Sequence, residues 1–232
     1  MQGLVAMRGD VMQDMAEARR RMVDGQLRPN RVTDGRLLAA MGEIPRERFM
    51  PPHLAARAYT DEDIRFAGGR GLIQPMCIAR LLQLLAIRDG DRVLVVGAGT
   101  GYAAAVAAHS GARVIALEGD ADLVAAARKA VAGLAAPDSL RIVEGPLGAG
   151  FPTAAPYDGI LIEGEVPEVP ATLAGQLAEG GRLVTVLAPA TRGQAARAVL
   201  GRRMGGSFSV APVFDCATLA LPAFAPSPGF VF

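Results

Sequence analysis

The chain has 232 residues, of which 51% are hydrophobic and 20% charged, and its formal net charge is +1. This hydrophobic content excludes an intrinsically disordered protein. The near-neutral charge gives no indication of binding to nucleic acid or to an anionic membrane surface. Two cysteines and two histidines are too few for a disulfide framework or for a zinc site of the usual kind, so we expect no metal.

The N-terminal third predicts helices and loops. Residues 11–26 and 33–42 carry apolar side chains at helical spacing. Ile44-Pro45 ends the second helix, because the residue before a proline disfavours the α region. Glycines around residues 68–71 predict a loop, and Pro75 suits the first turn of a helix that runs to about residue 86.

From residue 91 onward, short apolar runs alternate with helical segments. This alternation predicts a doubly wound, mostly parallel sheet that is covered on both faces, which is an α/β fold. The Pro- and Phe-rich tail, residues 222–232, is expected to pack over the sheet edge. The predicted strands are 92–96, 113–117, 140–143, 157–162 and 181–187, the predicted helices are 102–108, 120–134 and 170–178, and an antiparallel pair at 195–203 and 207–215 closes the sheet.

A glycine-rich turn follows the first buried strand of this region. Gly97, Gly99 and Gly101 have the spacing G-x-G-x-G, and position 102 is Tyr102, so the dinucleotide fingerprint G-x-G-x-x-G is not met. Glycine is needed where a ligand approaches the backbone closely. Glu118 ends the next strand, where an acid can accept both hydroxyl groups of a ribose. Strand, glycine loop, helix, strand and acid in this order favour a nucleoside site over a tight turn with a surface glutamate.

An ordered series of motifs, covering roughly residues 20–187, resembles the protein-L-isoaspartate O-methyltransferase family. Any one of these motifs is weak evidence, but the ordered set is specific. The matching segments are Arg21-Met22-Val23-Asp24-Gly25-Gln26-Leu27, Ile44-Pro45-Arg46-Glu47-Arg48-Phe49, Ala58-Tyr59-Thr60-Asp61, Gln74-Pro75, Gly97-Ala98-Gly99-Thr100-Gly101-Tyr102, Ala155-Pro156-Tyr157-Asp158 and Gly180-Gly181-Arg182-Leu183-Val184.

The resemblance implies a Rossmann-like fold, S-adenosylmethionine as methyl donor and an isoaspartyl carboxylate in a damaged protein as acceptor. It places residues 1–74 in an N-terminal helical cap with a substrate loop and residues 75–232 in the sheet core of one compact domain. A carboxylate is already a nucleophile at pH 7, so the enzyme supplies positioning and desolvation, and no general base is needed. The implied cofactor-binding residues are Gly97, Gly99, Gly101, Glu118 and Gly145, and the implied substrate-binding residues are Gly71, Leu72 and Ile73.

Several positions depart from the family pattern. The serine that hydrogen-bonds substrate and donor is replaced by Ile73, and the acid two residues before the first glycine is replaced by Val95. The Gly-Asp-Gly that reads the adenine is Gly145-Pro146-Leu147. Each lost hydrogen bond to a polar ligand costs ~0.5–1.5 kcal/mol, so three losses predict weaker donor binding.

Glu163 and Glu165 follow the predicted strand 157–162, where the family has small neutral residues. This strand end is expected close to the transferred methyl group, which makes both glutamates candidate catalytic residues. An ionised glutamate about 5 Å from an anionic acceptor costs ~3 kcal/mol at an effective dielectric of 20. The pair therefore suits a neutral or cationic acceptor, or else it lies in a solvated turn.

Three hypotheses remain open from the sequence. The chain is an isoaspartyl methyltransferase, or a catalytically silent relative that serves as an accessory subunit of a protein complex, or a methyltransferase whose acceptor is changed by Glu163 and Glu165. No segment reaches the ~18–20 apolar residues of a membrane span, and residues 1–10 lack the apolar core of a secretory signal. We therefore expect a cytoplasmic protein without membrane insertion.

Three other reactive side chains have ordinary structural interpretations. His109 lies at the end of a predicted helix, where a cation favours the helix dipole. His53 follows two prolines and is expected in an exposed loop. Cys77 lies on the apolar face of the helix after Pro75 and is expected to pack in the core.

Overall fold

A seven-stranded sheet lies at the centre of the fold in a computed structural model, which describes residues 14–225 except 135, 137, 190 and 192. The described strands, numbered along the chain, are β1 (Ile64–Arg65), β2 (Gly71–Leu72), β3 (Arg92–Val96), β4 (Arg113–Glu118), β5 (Leu140–Glu144), β6 (Tyr157–Val166), β7 (Leu177–Leu187), β8 (Arg197–Met204) and β9 (Ser207–Asp215). The main sheet has the order β5-β4-β3-β6-β7-β8-β9, and β1 and β2 form a separate antiparallel hairpin.

Strands β3 to β7 pair in parallel, and β8 and β9 continue the sheet as antiparallel strands. Side chains alternate across the sheet, so β3 sends Val93 and Val95 into one apolar core and Leu94 and Val96 into the other. The predicted doubly wound, mostly parallel sheet is confirmed.

Helices and short turns cover the sheet. Their ends have ordinary chemical causes, since the Asp34 and Asp120 carboxylates accept hydrogen bonds from the first backbone amides of two of them. Pro75 occupies the first turn of a third helix. The helices are α1 (14–22, continued by the π-helical turn Val23–Leu27), α2 (Gly35–Glu43), α3 (Pro75–Leu85), α4 (Tyr102–His109), α5 (Ala121–Val131) and α6 (Ala171–Ala174).

The strand order reverses at β3, because β4 and β5 are added on one side of β3, and β6 and β7 on the other. Ligands of open α/β sheets bind at such a switch point, beyond the carboxyl ends of the strands. Val96 pairs with Ile162 in the β3–β6 register. The residues that follow, Gly97 and Glu163, are therefore neighbours at this edge.

Two predicted boundaries were wrong. Strand β6 continues through Glu163 and Glu165 to Val166, where the sequence suggested a strand end and a turn. The reason is long-range pairing, since Glu165 pairs with Val186 of β7 and forms a bridge to Ala220. Strand β7 begins at Leu177, so the predicted helix at 170–178 shrinks to α6.

Two further predictions extend beyond the described residues. Of the predicted first helix, residues 11–13 lie outside them, and helical structure is found over 14–27. Of the predicted tail, 226–232 lies outside them, while Pro222–Phe224 forms a short 3-10 turn.

Candidate active site

The glycine loop after β3 has the backbone conformation that its sequence predicts. Gly97, Gly99 and Gly101 have φ angles of 74°, 55° and 91°, in the left-handed region that favours glycine. The amides of Gly97 and Ala98 both donate to the Leu117 carbonyl at 2.9 and 3.1 Å, which ties the loop to the end of β4. Gly101 is the N-cap of α4. The loop is thus a tight turn held against the strand that carries Glu118.

Glu118 is held in place by backbone amides. Its side chain is 3% exposed, and Oε2 accepts a hydrogen bond from the Gly99 amide at 2.7 Å. Oε1 accepts from the amides of Gly119 at 2.8 Å and Asp120 at 3.2 Å. These bonds fix the carboxylate at the mouth of the glycine loop, where the sequence places an acceptor for ribose hydroxyl groups.

Gly145 lies beside the same acid. Its amide donates to the Glu118 backbone carbonyl at 3.0 Å, which joins the ends of β4 and β5. Leu147, which is 5% exposed, packs towards Gly119, with its Cγ 3.7 Å from the position of a β-carbon there. An apolar side chain therefore lies where the family pattern has the end of its adenine-reading motif.

Arg70 reaches into the glycine loop and pairs with Glu118. Its Nη2 donates to Glu118 Oε2 at 2.7 Å and to the Gly97 carbonyl at 2.8 Å. Only 14% of the Arg70 side chain is exposed. This contact was not predicted, because Arg70 and Glu118 are 48 residues apart in the chain. In this conformation a guanidinium group of the chain itself binds the carboxylate that the sequence analysis assigns to ribose hydroxyl groups.

The segment 219–221 lies over the other side of the loop. It runs beside the end of β6, with the Glu165 amide donating to the Leu219 carbonyl at 2.8 Å and the Leu221 amide to the Glu165 carbonyl at 2.9 Å. A β-carbon at Gly97 would lie 2.9 Å from Leu221 Cδ2. Leu221 is 3% exposed and belongs to the apolar core on that face of the sheet.

Two cavities of different size meet at Arg70. A cleft of about 870 Å³ is lined by Phe49, Thr100, Leu123 and other residues of the cap, the glycine loop and α5. A cavity of only about 10 Å³ remains between Arg70, Glu163 and the segment 219–221. The larger cleft has the size of a ligand site, and the Arg70 side chain separates it from the buried end of β6.

The residues at this edge fit S-adenosylmethionine, although the chain itself fills part of the space. The three glycines carry no β-carbon that would block a ligand, and backbone amides hold Glu118 where the sequence analysis expects an acceptor for ribose hydroxyl groups. Arg70 contacts Glu118 and Leu221 packs against Gly97, so both side chains lie against this loop.

Glu163 lies inside the site as part of β6, and not in a solvated turn. It is 7% exposed and lines the small cavity. Burial raises the pKa of Glu163 to about 8; nearby Arg70 and Arg46 oppose this rise and Glu118 adds to it. Glu165 is half-buried, and burial raises its pKa as well. The backbone of Glu165 hydrogen-bonds to the segment 219–221, and its side chain is not among those that line the small cavity. Of the two candidate glutamates, only Glu163 lines this cavity.

The predicted substrate loop runs along the β1–β2 hairpin. Gly71 and Leu72 form β2, and a β-carbon at Gly71 would clash with the Ile64 carbonyl. Ile73 is 2% exposed and lines the small cavity together with Gly71 and Glu163. The structure therefore brings the substrate-loop positions and Glu163 together, and it places the glycine loop beside them.

A buried arginine, Arg46, connects the cap to this loop and was not among the predicted site residues. Its Nε donates to the Ala58 carbonyl at 2.8 Å and its Nη2 to the Ile73 carbonyl at 2.6 Å. Its guanidinium carbon lies 4.7 Å from the centre of the Tyr102 ring. Burial lowers the pKa of Arg46 and raises the pKa of Tyr102. The signal for Arg46 was its place in the Ile44–Phe49 motif, whose chemical role the sequence did not show.

Cys77 is buried as predicted, but it also forms a disulfide with Cys216, which the sequence analysis did not predict. The bond joins α3, just after the substrate loop, to the chain three residues before Leu219. Local sequence carries no signal for this pair, because the two cysteines are 139 residues apart.

Neither histidine is among the residues that line the two cavities. His109 ends α4, and its Nε2 lies 2.8 Å from the carboxylate of Glu43. His53 is exposed in a 3-10 turn. Across the described residues, no group of three or more His, Cys, Asp or Glu side chains is placed to hold a metal ion. Within the same part of the chain, none of the helices has the length and apolarity required to span a membrane.

Comparison with known proteins agrees with this geometry. The family described as protein-L-isoaspartate(D-aspartate) O-methyltransferase matches residues 18–221. A protein-L-isoaspartate O-methyltransferase of Methylorubrum populi is 46% identical over 172 residues, which cover 74% of this chain and 80% of that protein. Protein-L-isoaspartate O-methyltransferase 2 of Marinobacter nauticus is 42% identical over 173 residues, covering 74% of this chain and 78% of that protein.

Solved structures show the same fold. A protein-L-isoaspartate O-methyltransferase superposes with a TM-score of 0.74 at 26% identity, covering 88% of this chain and 65% of that one. A putative protein-L-isoaspartate O-methyltransferase from Plasmodium falciparum, in complex with S-adenosyl-L-homocysteine, gives a TM-score of 0.73 at 19% identity, covering 88% of this chain and 98% of that one. This chain belongs to the protein-L-isoaspartate O-methyltransferase family.

Proposed function

We propose that this chain transfers the methyl group of S-adenosylmethionine to the carboxylate of isoaspartyl residues in damaged peptides and proteins. The observation that carries the proposal is the family match over residues 18–221. The glycine loop with Glu118 locked beside it supplies a built nucleoside site that agrees with the match. The damaged polypeptide is the partner that this activity requires.

The reaction demands little acid-base chemistry from the protein. S-adenosylmethionine supplies an electrophilic methyl group on a sulfonium. A carboxylate oxygen of the acceptor forms the new bond to carbon, the carbon–sulfur bond breaks, and its electron pair stays on sulfur. The protein has to exclude water and align the two groups. Burial of the end of β6 beneath the segment 219–221 provides such a water-poor place.

Each element has a proposed role in binding. Gly97, Gly99 and Gly101 allow the donor to approach the backbone, and the Glu118 carboxylate accepts the ribose hydroxyl groups once Arg70 has left it. The backbone of Gly145 borders the adenine. The substrate loop, Gly71–Ile73, borders the acceptor, and Arg46 holds this loop through the Ile73 carbonyl. Displacement of Arg70 opens the path from the large cleft to the buried end of β6.

A methylation assay with matched peptides tests the proposal. We expect the protein to form S-adenosylhomocysteine with a peptide that contains one isoaspartyl residue, and not with the same peptide that contains ordinary aspartate. Absence of product with the isoaspartyl peptide, at donor concentrations that saturate the enzyme, would overturn the proposed function.

The role of Glu118 is tested with a neighbouring glutamate as control. Glu118→Gln removes the charge that strengthens the bonds to the ribose, and a hydrogen bond to a charged group contributes ~1.5–3 kcal/mol. In the Arg70→Gln background, where no arginine competes for this acid, we therefore expect donor affinity to fall by at least about tenfold. Glu144 pairs with Glu118 in the β4–β5 register and is exposed, so Glu144→Gln changes the same charge outside the site. Equal affinities of the two variants would contradict the assignment.

The alternative function, a silent accessory subunit, is supported by the contacts that fill the glycine-loop site. Arg70 on Glu118 and Leu221 on Gly97 would be permanent in such a protein. Calorimetry with S-adenosylhomocysteine separates the two cases, because a permanently filled site gives no binding heat at millimolar ligand. Mass spectrometry of the protein purified from its own cells would show a bound nucleoside in the first case and partner proteins in the second.

A further inference from the structure

A buried carboxyl group borders the loop that we expect to hold the acceptor. Glu163 is 7% exposed, and among the described residues no group forms a hydrogen bond with its Oε2 atom. Most buried polar atoms have a partner, and leaving one unsatisfied costs folding free energy. The free atom belongs to a side chain that lines the same small cavity as Gly71 and Ile73. This position calls for a ligand that can hydrogen-bond to a carboxyl group.

We propose that Glu163, as a neutral carboxylic acid, donates a hydrogen bond to the carboxylate of the isoaspartyl acceptor and so positions the attacking oxygen. The assignment rests on the proposed function. The acid keeps its proton throughout methyl transfer, because its task is to hold the acceptor and not to exchange protons with it.

The location of Glu163 suits this role. It follows Ile162, which pairs with Val96, so Glu163 lies beside the first glycine of the loop at the switch point of the sheet. The neighbouring substrate-loop side chain, Ile73, is apolar and cannot hydrogen-bond an acceptor. Leu221 bounds the cavity from the other side, so the acceptor enters the space that this side chain leaves when the donor binds.

The charges around Glu163 favour the neutral form. Burial raises its pKa to about 8, with Glu118 acting in the same direction. The two nearby cations, Arg70 and Arg46, act against this rise, but both are engaged elsewhere. Arg70 binds Glu118, and Arg46 binds two backbone carbonyl groups. At pH 7 a group with this pKa is about 90% protonated. An arriving carboxylate raises the pKa further, because a negative charge disfavours ionisation of its neighbour.

The acid also resolves the electrostatic problem that the sequence raised. An ionised glutamate would repel an anionic acceptor, whereas a neutral carboxylic acid attracts it. Buried carboxylic acids that stay neutral at pH 7 and donate hydrogen bonds to anions are an established device in enzymes. Glu163 is therefore compatible with a carboxylate acceptor without any change of substrate class.

The first test is the pH dependence of methylation by the wild type and Glu163→Gln, measured as formation of S-adenosylhomocysteine. In the wild type, kcat/KM is expected to fall about tenfold between pH 7 and pH 9, following the protonated fraction of a group with a pKa of about 8. The fall in kcat/KM should appear mainly as a rise in the KM for the peptide. Gln keeps a hydrogen-bond donor but does not ionise, so its profile is expected to stay flat over the same range.

The second test is rescue by a hydroxyl group from the substrate loop. Glu163→Leu removes the donor at nearly the same volume and is expected to raise the peptide KM by at least about tenfold. The double variant Glu163→Leu with Ile73→Ser places a hydroxyl group on the other wall of the same cavity. We expect it to recover most of the lost kcat/KM. Glu168→Gln, an exposed carboxylate beyond β6, serves as control.

The outcomes separate the two levels of the proposal. A wild type that binds donor but methylates no isoaspartyl peptide overturns the proposed function, and this assignment with it. If the wild type is active, and Glu163→Gln and Glu163→Leu have the same pH profile and peptide KM as the wild type, only the role of Glu163 is overturned. Thermal unfolding of each variant excludes misfolding. The isosteric glutamine variant keeps the pH test valid even where the leucine variant fails to fold.

Discussion

Replacing Arg70 with glutamine is expected to raise the affinity of this protein for its methyl donor. In the structure, Arg70 Nη2 donates to Glu118 Oε2 at 2.7 Å and to the Gly97 carbonyl at 2.8 Å, with 14% of the arginine side chain exposed. The donor has to break this pair before its ribose reaches Glu118. Glutamine is shorter and uncharged, so Arg70→Gln removes the competing cation and leaves the backbone amides on Glu118 in place.

The size of the effect follows from the bond that is lost. A hydrogen bond between charged groups contributes ~1.5–3 kcal/mol. At about 1.4 kcal/mol per factor of ten, removing it from the unliganded protein should tighten donor binding by about 10- to 100-fold. The free energy of unfolding of the unliganded variant should be lower by the same amount, so it should unfold at a lower temperature. Saturating ligand should abolish most of that difference.

Isothermal titration with S-adenosylhomocysteine measures this effect directly. The matched control is Arg65→Gln, because Arg65 lies on the adjacent strand β1 but is exposed. The control should bind the ligand like the wild type. Unchanged or weaker binding by Arg70→Gln would refute the reasoning, because Arg70 would then be a ligand contact or a mere support of the loop.

Three further predictions concern the other parts of the site. Leu221→Ala should lower the free energy of unfolding by about 2–5 kcal/mol, as for other buried leucines, and should tighten S-adenosylhomocysteine binding in calorimetry; weaker binding would show that this leucine supports the site. Gly99→Ala and Gly90→Ala both place a β-carbon at a positive φ (55° and 84°), so both should lose about 1–2 kcal/mol of stability in denaturant melts. The first alone should lose donor binding, and equal binding by both would contradict the glycine-loop site. Cys216→Ser opens a disulfide that spans 139 residues and should cost about 2–5 kcal/mol; thermal unfolding should show the same loss in wild type treated with dithiothreitol, whereas a wild type insensitive to the reductant would argue against the bond.

The glycine loop and the alternation of strands and helices were accessible from the sequence because their causes are local. Gly97, Gly99 and Gly101 follow an apolar strand and precede a helix, and each needs a backbone angle that other residues adopt at a cost. Glu118 ends the next strand, so its place beside the loop follows from parallel pairing. Apolar runs of strand length separated by helices are a direct consequence of a sheet buried on both faces.

The end of β6 was misread for the opposite reason. Glu163, Gly164 and Glu165 are polar or small, which is typical of a turn, and nothing nearby argues for a strand. The strand continues because Glu165 hydrogen-bonds the segment 219–221, more than fifty residues later in the chain. Glu163 lies buried at this end of the strand, and burial raises the pKa of its carboxyl group.

The sequence by itself determined the family, the doubly wound sheet, the glycine loop and the acid beside it, since these depend on short-range patterns of apolar residues, glycine and charge. Only the tertiary structure decided that Arg70 lies on Glu118, that Leu221 lies on Gly97, and that Cys77 is bonded to Cys216. These contacts join segments far apart in the chain, and their free energies depend on burial and distance, which exist only once the chain has folded.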